Sequence, residues 1–339
     1  MIDAAEAIHS LLSASQRVLL ISHVAPDGDA IGSMLGLKWL LEAQGRAVVA
    51  ANQDGVPYLL RSDQVAPGWQ SVVHAPVKPR RPGRGYDLVI TLDCSDMQRL
   101  GKTYSPSLAH APLVNIDHHI TNLGFGAFNL VDPAASSTAE IVVRLAEALA
   151  WPIGPEAAQC LLTGIVTDTQ SFRVGNVTPA LLGMAQRLME SGASLQAVNE
   201  GVLDRRNVDT ICLWGQALNA LHLEERIIWT AIPLAMRGRC QGVEQSDSGL
   251  ANFMAGAEEA DVAVILTERE DGLVDVGMRA AAGFDVAQVA LALGGGGHPR
   301  AAGCSLRLPL EQAVQHVLGA LKGALAEQRR ANAAVEGQR

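Results

Sequence analysis

Acidic and histidine residues follow three separate apolar runs of this sequence, at the point where each run ends. They are His23, Asp27 and Asp29 around the end of the run 17–23, Asp93 at the end of 87–93, and Asp117, His118 and His119 after 112–117. If the runs are parallel strands, their carboxyl ends meet at one sheet edge, where uncompensated carboxylates repel one another. A pair of divalent cations removes that repulsion, and ligands limited to carboxylate and imidazole favour manganese, magnesium or a similar ion.

Each cluster also has an ordinary explanation when it is taken alone. The segment 26–29 fits an Asp-Gly turn with a helix N-cap at Asp29, Asp93 fits a turn former, and the adjacent histidines fit a solvated loop. The metal-site interpretation gains from the three clusters together. A fourth candidate ligand is Asp168, in the largely apolar helical segment 164–172, because buried acids are rare unless paired or metal-bound. A cap at a helix end is the alternative for Asp168.

A glycine run in the second half is a candidate anion-binding loop. It comprises Gly294, Gly295, Gly296 and Gly297, and His298 follows it. Glycines let backbone amides approach an anion closely, although such a run is often only a flexible loop. Arg279, at the end of a strand-like run, could add a bidentate phosphate contact, while a surface or ion-paired arginine is the commoner case.

The elements that must position these residues alternate between helix and strand. Helical periodicity over 2–14 and 29–45 flanks the apolar run 17–23, and further strand-like runs are 46–52, 87–93 and 112–117. This alternation predicts an α/β fold with a parallel, doubly wound N-terminal sheet. From residue 137 to about 223 the pattern is helical, and strand-like runs return at 226–233, 261–269 and 273–280.

The sequence therefore predicts two domains, the second a smaller α/β unit. We expect the first domain over residues 1–188, a helical linker over 189–224, the second domain over 225–326 and a frayed tail over 327–339. No internal repeat is apparent.

Composition limits the class of function. A net charge of -9 argues against a protein that grips long duplexes through a basic face, so a nucleic-acid substrate should be short. Five widely spaced cysteines without a CxxC pair imply neither a disulfide framework nor a structural zinc site, which fits a reducing cytoplasm. No leader pattern or membrane-length apolar run is present, and we expect a soluble protein without membrane partners.

Five motifs in order, HVAPDGDAIGS, LDCSDMQRLG, NIDHH, TDTQSF and GGGGHPRAAG, resemble the DHH phosphoesterase family with its DHH-associated C-terminal domain. The resemblance covers nearly the whole chain and is greatest to the stand-alone NrnA-type members. It implies hydrolysis of short RNA or DNA oligonucleotides (nanoRNA) and of 3′-phosphoadenosine 5′-phosphate, with cyclic or linear di-AMP as the alternative substrate. It also implies two divalent metal ions, most readily manganese.

The family pattern assigns roles to individual positions of this sequence. One metal ion is held by His23, Asp27 and Asp93, and the other by Asp29, Asp93, His118 and Asp168, so that Asp93 bridges the pair. His119 faces the substrate phosphate or orients its neighbours, and Asp117 holds the histidine pair. The C-terminal domain binds the nucleotide, with Arg279 and the 294–298 loop facing the metals across a cleft. Gln170 and Pro299 depart from the residues usual in NrnA-type members, and neither departure removes a metal ligand.

Three other functions fit the sequence less well. An inorganic pyrophosphatase with the same first-domain motifs is disfavoured by the GGGH-type end, and a long-strand exonuclease like RecJ by the short, acidic chain. A nucleotide sensor without activity would have no need of a complete ligand set. The sequence leaves the oligomeric state open, with a homodimer as one option.

Overall fold

The computed structural model describes residues 2–74, 85–105, 108, 110–237 and 249–336. Its contacts divide the chain into two compact units, Met1–Arg205 and Arg206–Arg339. The division falls inside the stretch expected to be a helical linker, because the helices before residue 205 pack with the first unit. The α/β fold class expected from the sequence is confirmed.

Unit 1 is built around a six-stranded sheet in which every pairing is parallel. Its strands are β1 Arg17–Ser22, β2 Ala47–Asn52, β3 Val73–His74, β4 Leu88–Leu92, β5 Leu113–Asp117 and β6 Phe128–Val131. The strand order is β3-β2-β1-β4-β5-β6, so the winding direction reverses between β1 and β4. In open parallel sheets, ligands bind outside the carboxyl ends of the strands at such a reversal.

The helices of unit 1 cover one face of this sheet. They are α1 Ile2–Ala14, α2 Gly28–Ala43, α3 Thr138–Ala148, α4 Pro155–Asp168, α5 Pro179–Glu190 and α6 Leu195–Val198, and a π-helical turn at Asn199–Asp204 follows. Strands β1, β4 and β5 are buried almost without interruption, because residues outside these helices pack against the opposite face of the sheet. Their side chains and those of the helices form one large apolar core.

Helices α2 and α4 approach each other unusually closely. A Cβ atom at Gly32 would lie 2.5 Å from the carbonyl oxygen of Cys160, and one at Gly164 would lie 2.7 Å from Oδ1 of Asp29. Only glycine leaves room for this contact. The close packing brings the C-terminal end of α4, and with it Asp168, to the first turn of α2.

Unit 2 contains a mixed sheet of six strands in the order β11-β12-β10-β9-β8-β7. Its strands are β7 His222–Glu224, β8 Ile227–Ile232, β9 Val262–Glu268, β10 Val274–Ala280, β11 Gly296–His298 and β12 Ala301–Leu306. Its helices are α7 Val208–Asn219, α8 Leu234–Arg237, α9 Leu250–Met254, α10 Ala287–Ala292 and α11 Leu310–Glu336. The β8–β9 pairing is parallel and the others are antiparallel.

Three expectations from the sequence are wrong or incomplete. The predicted tail 327–339 is helical as far as Glu336, because it is rich in strong helix formers and Arg329 pairs with the buried Asp261. Part of the glycine run forms strand β11 rather than a free loop. Cys212 is disulfide-bonded, whereas Cys94, Cys160 and Cys304 are free. Cys240 and residues 337–339 lie outside the described residues.

No helix within the described ranges is both long enough and apolar enough to span a bilayer.

Candidate metal centre

The first cluster follows β1, on the side of the sheet where its winding reverses. The ring of His23 is buried, and its Nδ1 lies 2.7 Å from the carbonyl oxygen of Val24. This contact leaves Nε2 facing Asp93, whose Oδ2 lies 3.3 Å away, and Asp27, whose Oδ1 lies 3.9 Å away. A histidine whose Nδ1–H is held by a carbonyl presents the Nε2 lone pair, as metal-binding histidines commonly do.

Asp27 and Asp29 have different surroundings, although they are two residues apart. Asp27 is the N-cap of α2, where its Oδ1 accepts from the backbone N–H groups of Asp29 and Ala30. The N-cap considered for Asp29 from the sequence is therefore wrong. Asp29 is fully buried, and its carboxylate accepts from the N–H groups of Thr138 at 2.6 Å and Ala139 at 2.9 Å. These donors are the first turn of α3, where backbone N–H groups point at an anion.

Asp93 occupies the central position, directly after β4. Its backbone has φ of 57°, a left-handed conformation that is uncommon for aspartate and marks a constrained position. Its Oδ2 faces His23, while its Oδ1 lies 3.6 Å from Nε2 of His118 and 3.5 Å from Nδ1 of His119. The hydroxyl of Thr138 donates to the same Oδ1 at 3.1 Å. The two oxygens of one buried carboxylate thus face two different groups of residues.

The residues after β5 complete the second group. Nε2 of His118 lies 3.4 Å from Oδ2 of Asp168 and 4.0 Å from Oδ2 of Asp29, so these three residues converge on one point. His23, Asp27 and Asp93 form the first convergent group. The structure therefore brings together all six residues that the sequence singled out as candidate ligands.

The acids of the centre lie close together and are buried away from water, and both conditions shift their pKa values. Burial raises the pKa of Asp29 well above its usual value, and the charges of Asp93 and Asp168 add to the rise. Burial, with the charges of Asp27 and Asp93, likewise raises the pKa of Asp168. Asp93 differs: burial acts to raise its pKa, but the hydrogen bond with His23 and the nearby histidines hold it below its usual range. Uncompensated carboxylates of this kind are what bound cations stabilise.

Asp117 and His119 form a separate pair beside the two groups. Oδ1 of Asp117 lies 2.7 Å from Nδ1 of His119 and accepts from the N–H of His118 at 2.9 Å. Burial acts to lower the pKa of His119, but the hydrogen bond to Asp117 and the charge of Asp93 raise it to about 9. The other oxygen of Asp117 accepts from Nδ2 of Asn122 at 2.5 Å.

Sequence reasoning missed several polar residues that hold this centre together. Asn115 links the strand ends, donating to Oγ1 of Thr91 and to the carbonyl of Cys94, both at 3.0 Å. Asn52 donates to the carbonyl of His23 at 2.7 Å. Thr138 donates its hydroxyl to Oδ1 of Asp93. The available signal was a polar residue inside an apolar strand, at Asn115 and Asn52, because such residues need buried partners.

The predicted substrate residues lie together in unit 2. In the antiparallel register, Arg279 of β10 is opposite Ala301 of β12, and His298 of β11 is opposite the same alanine. Directly opposed residues share a sheet face, so the three form one row. Gly277, Gly303 and Gly296 form the next row on that face. Arg279 donates to Oδ1 of Asn252 and to its neighbour's carbonyl, and burial lowers its pKa.

The glycine run owes much of its composition to packing within unit 2. A Cβ atom at Gly295 would lie 2.1 Å from the carbonyl oxygen of Gly303, and one at Gly297 would lie 2.6 Å from that of Ala301. These two positions must be glycine for β11 to lie against β12. At Gly296 a Cβ atom would meet nothing within 4 Å.

Comparison with known proteins decides the family. Residues 17–165 match the model of the DHH family, N-terminal domain, and residues 240–327 match the DHHA1 domain. The chain is 33% identical over 310 residues to a Thermus thermophilus protein named bifunctional oligoribonuclease and PAP phosphatase NrnA, covering 90% of this chain and 89% of that protein. The chain belongs to the DHH family.

Two further proteins are similar to this chain, one in fold and one in sequence. An exopolyphosphatase-related protein from Bacteroides fragilis has the same fold, with a TM-score of 0.86, 22% identity and coverage of 96% of this chain and 98% of that one. A Listeria monocytogenes protein named cyclic-di-AMP phosphodiesterase PdeA is 25% identical over 93% of this chain and 49% of its own length. Five of the six candidate ligands lie within the matched span 17–165, and Asp168 lies just beyond it.

Proposed function

We propose that this chain is a metal-dependent phosphoesterase that hydrolyses short oligonucleotides and 3′-phosphoadenosine 5′-phosphate to mononucleotides. The observation that carries the proposal is the position of Asp93, whose two carboxylate oxygens face two convergent groups of Asp and His residues. The substrate class is supported by the name of the Thermus thermophilus relative.

The donor chemistry of the two groups fits a pair of divalent cations. His23, Asp27 and Asp93 would hold one ion, and Asp29, Asp93, His118 and Asp168 the other, with manganese favoured by the mixture of carboxylate and imidazole ligands without a thiolate. When bound, such a pair activates water at neutral pH and offsets the negative charge of a phosphate. Bound cations would offset the repulsion between these crowded, buried acids, and this argument does not depend on the family assignment.

His119 and Asp117 would act on the phosphate side of the centre. Nδ1 of His119 bonds Asp117, and its Nε2 would carry a proton toward a phosphate oxygen. Asp117 would fix the ring orientation and keep the imidazole protonated, as the raised pKa of His119 indicates. Asp93, besides holding metal, would keep both histidine rings in place.

Unit 2 would bind the nucleotide part of the substrate. Arg279 and His298 present a guanidinium and an imidazole from one row of the sheet, beside a row of three glycines without side chains. Gly295, Gly296 and Gly297 would let backbone N–H groups approach a phosphate. Binding energy gained far from the scissile bond would position that bond for reaction.

Cyclic or linear di-AMP is a second candidate substrate, favoured by the similarity to the Listeria monocytogenes phosphodiesterase. It is the weaker candidate because this chain spans about half of that relative. A nucleotide sensor without activity is a third possibility that the same experiment tests.

Purified protein should be assayed with manganese against RNAs of two to five nucleotides, 3′-phosphoadenosine 5′-phosphate and cyclic di-AMP, with the products identified. The proposal expects mononucleotides from the first and adenosine monophosphate from the second. Turnover of cyclic di-AMP alone would favour the second candidate. Binding of nucleotides without any product would favour a sensor and contradict the proposal.

A further inference from the structure

The unpaired cations of unit 1 are few. Within residues 2–74, 85–105, 108 and 110–205, three lysine or arginine side chains have neither an ion pair nor a hydrogen bond: Arg99, Lys102 and Arg173. Lys102 and Arg173 are exposed, as solvated cations usually are, whereas Arg99 is partly buried. A cation withdrawn from water without a partner is costly unless something else compensates it.

The backbone of Arg99 is fixed to the loop that carries His23. The N–H of Val24, the residue after His23, donates to the carbonyl of Arg99 at 2.7 Å, and the N–H of Arg99 donates to Oδ1 of Asp96 at 3.0 Å. Arg99 lies in a short 3-10 turn, Gln98–Leu100, that follows Asp93 by a few residues. At Gly101 a Cβ atom would lie 2.5 Å from the side chain of Val24, so the turn and the loop are in close contact.

Arg99 is therefore held beside the first group of candidate ligands. Its carbonyl bonds the residue that follows His23, and its turn follows the strand end that carries Asp93.

We propose that Arg99 is a phosphate-binding residue of unit 1, which holds non-bridging oxygens of the substrate phosphate beside the metal ligands. A guanidinium presents N–H donors in a fork that matches two oxygens of a phosphate, and such bonds are stronger than neutral ones. The residue is positioned by backbone bonds and has its guanidinium free, as a preformed anion contact requires. This inference rests on the proposed function, because it assumes that a phosphate is the group attacked.

Phosphate binding can be measured without turnover. Manganese-loaded wild-type protein, R99A, R99K and R99Q should be titrated with inorganic phosphate and with adenosine monophosphate by calorimetry. We expect R99A and R99Q to weaken binding of both about tenfold or more, and R99K to lie between, because lysine keeps the charge and loses the fork. The matched control is K102A, which removes a cation three positions away and should change the affinity less than about twofold.

Wild-type phosphate affinity in R99A and R99Q would overturn the assignment, and so would the absence of phosphate binding by the wild-type protein. An equal loss of affinity in K102A would also overturn it, because the effect would then come from the general positive charge of this region. Melting temperature and manganese content, measured on the same samples, should match the wild type in R99Q, and a drop in both would assign Arg99 to folding instead. If no substrate is turned over while phosphate binding still depends on Arg99, the proposed function fails and this inference stands.

Discussion

Arg279 and His298 lie opposite the same residue, Ala301, on the two strands that flank it, so their side chains share one face of the unit 2 sheet. If this face binds the nucleotide, R279A should lower kcat/KM for RNAs of two to five nucleotides by about tenfold or more, because a charged hydrogen bond is lost. Part of the loss should appear in kcat, since remote binding energy also orients the reacting phosphate. Steady-state kinetics with defined oligonucleotides measures both parameters.

The same variant should hydrolyse bis-p-nitrophenyl phosphate at nearly the wild-type rate, because this small ester needs no nucleotide contact. The matched control is R269A. Arg269 directly follows β9, the strand next to β10, and it is exposed and paired with Asp271 and Asp275. If R279A impaired hydrolysis of the small ester and of the oligonucleotide equally, Arg279 would not act specifically on the nucleotide part of the substrate.

Asp117 should matter through His119 rather than through metal binding. D117N keeps the shape of the side chain but removes the charge that holds the histidine ring and raises its pKa. We expect kcat to fall about 10- to 100-fold, as for other residues that orient groups of a metal site, with manganese content preserved. The basic limb of the kcat pH profile should move to lower pH, since the imidazole loses its proton more readily.

N122A should also lower kcat and move the basic limb of the pH profile to lower pH, with a smaller loss of kcat than D117N, because Asn122 donates to the other oxygen of Asp117. Asn129 provides the control, since it bonds to Gly124 and Gly126 in the same loop and does not contact Asp117. A pH profile unchanged in D117N, despite a lower kcat, would argue against a protonated His119.

The stability of the metal-free protein should decrease as the pH rises from about 6.5 to 9. The pKa of His119 is raised from 6.5 to about 9, so its stabilising contribution is fully present below pH 6.5 and is lost as the pH rises through about 9. The raised pKa values of Asp29 and Asp168 act in the same direction, since the unfolded chain gives up these protons first. Chelator-treated protein melted at a series of pH values tests this.

H119N is the comparison variant for that experiment. Its melting temperature should depend less steeply on pH over the same window, and manganese should flatten or reverse the wild-type slope because metal binding requires deprotonated ligands. A melting temperature of the metal-free wild type that stays level or increases toward pH 9 would contradict the electrostatic description.

A stabilising substitution is expected at Gln170, which follows Asp168 closely. Gln170, Ser171 and Phe172 have φ of 49°, 59° and 63°, a run of left-handed residues without a glycine. Q170G should raise the free energy of unfolding by about 0.5–1 kcal/mol, since glycine adopts this conformation without the steric cost of a Cβ atom. Urea denaturation with an unchanged m-value is the measurement.

Ala150 offers matched controls for that substitution. It has φ of 52° just beyond α3, so A150G should give a similar gain, whereas A148G, at the last residue of the helix, should cost up to about 1 kcal/mol. If Q170G destabilised the protein while A150G stabilised it, the side chain of Gln170 would have to make a contact that outweighs its strain.

The sequence was most informative where burial is continuous. The three runs that end at His23, Asp93 and Asp117 are strands buried on both faces, so their apolar character persists without gaps and their ends are evident. Parallel pairing then implied that the candidate ligands would meet at one edge. The convergence of Asp29 and Asp168 was not visible in this way, because it depends on glycine contacts between α2 and α4.

Short and edge strands were the features that sequence patterns did not reveal. Strand β12 includes Ala301, Ala302 and Gly303, which carry little β propensity, and its position is set by pairing with β10. Strand β11 is glycine-rich for the packing reason found at Gly295 and Gly297. The hydrogen bonds from Asn122 to Asn115 and Asp117 could not be inferred from the sequence either, because they depend on how the loop after β5 folds back on that strand.

If Asp93 serves two metal ions at once, manganese stoichiometry should show it most directly. Wild-type protein loaded with manganese and freed of excess metal should contain about two ions per chain by elemental analysis, and should hydrolyse a dinucleotide RNA. D93A should retain less than one ion and lose activity by several orders of magnitude, because the remaining acids then repel one another. D93A that keeps two ions and hydrolyses the dinucleotide at the wild-type rate would contradict a role of Asp93 in holding both ions.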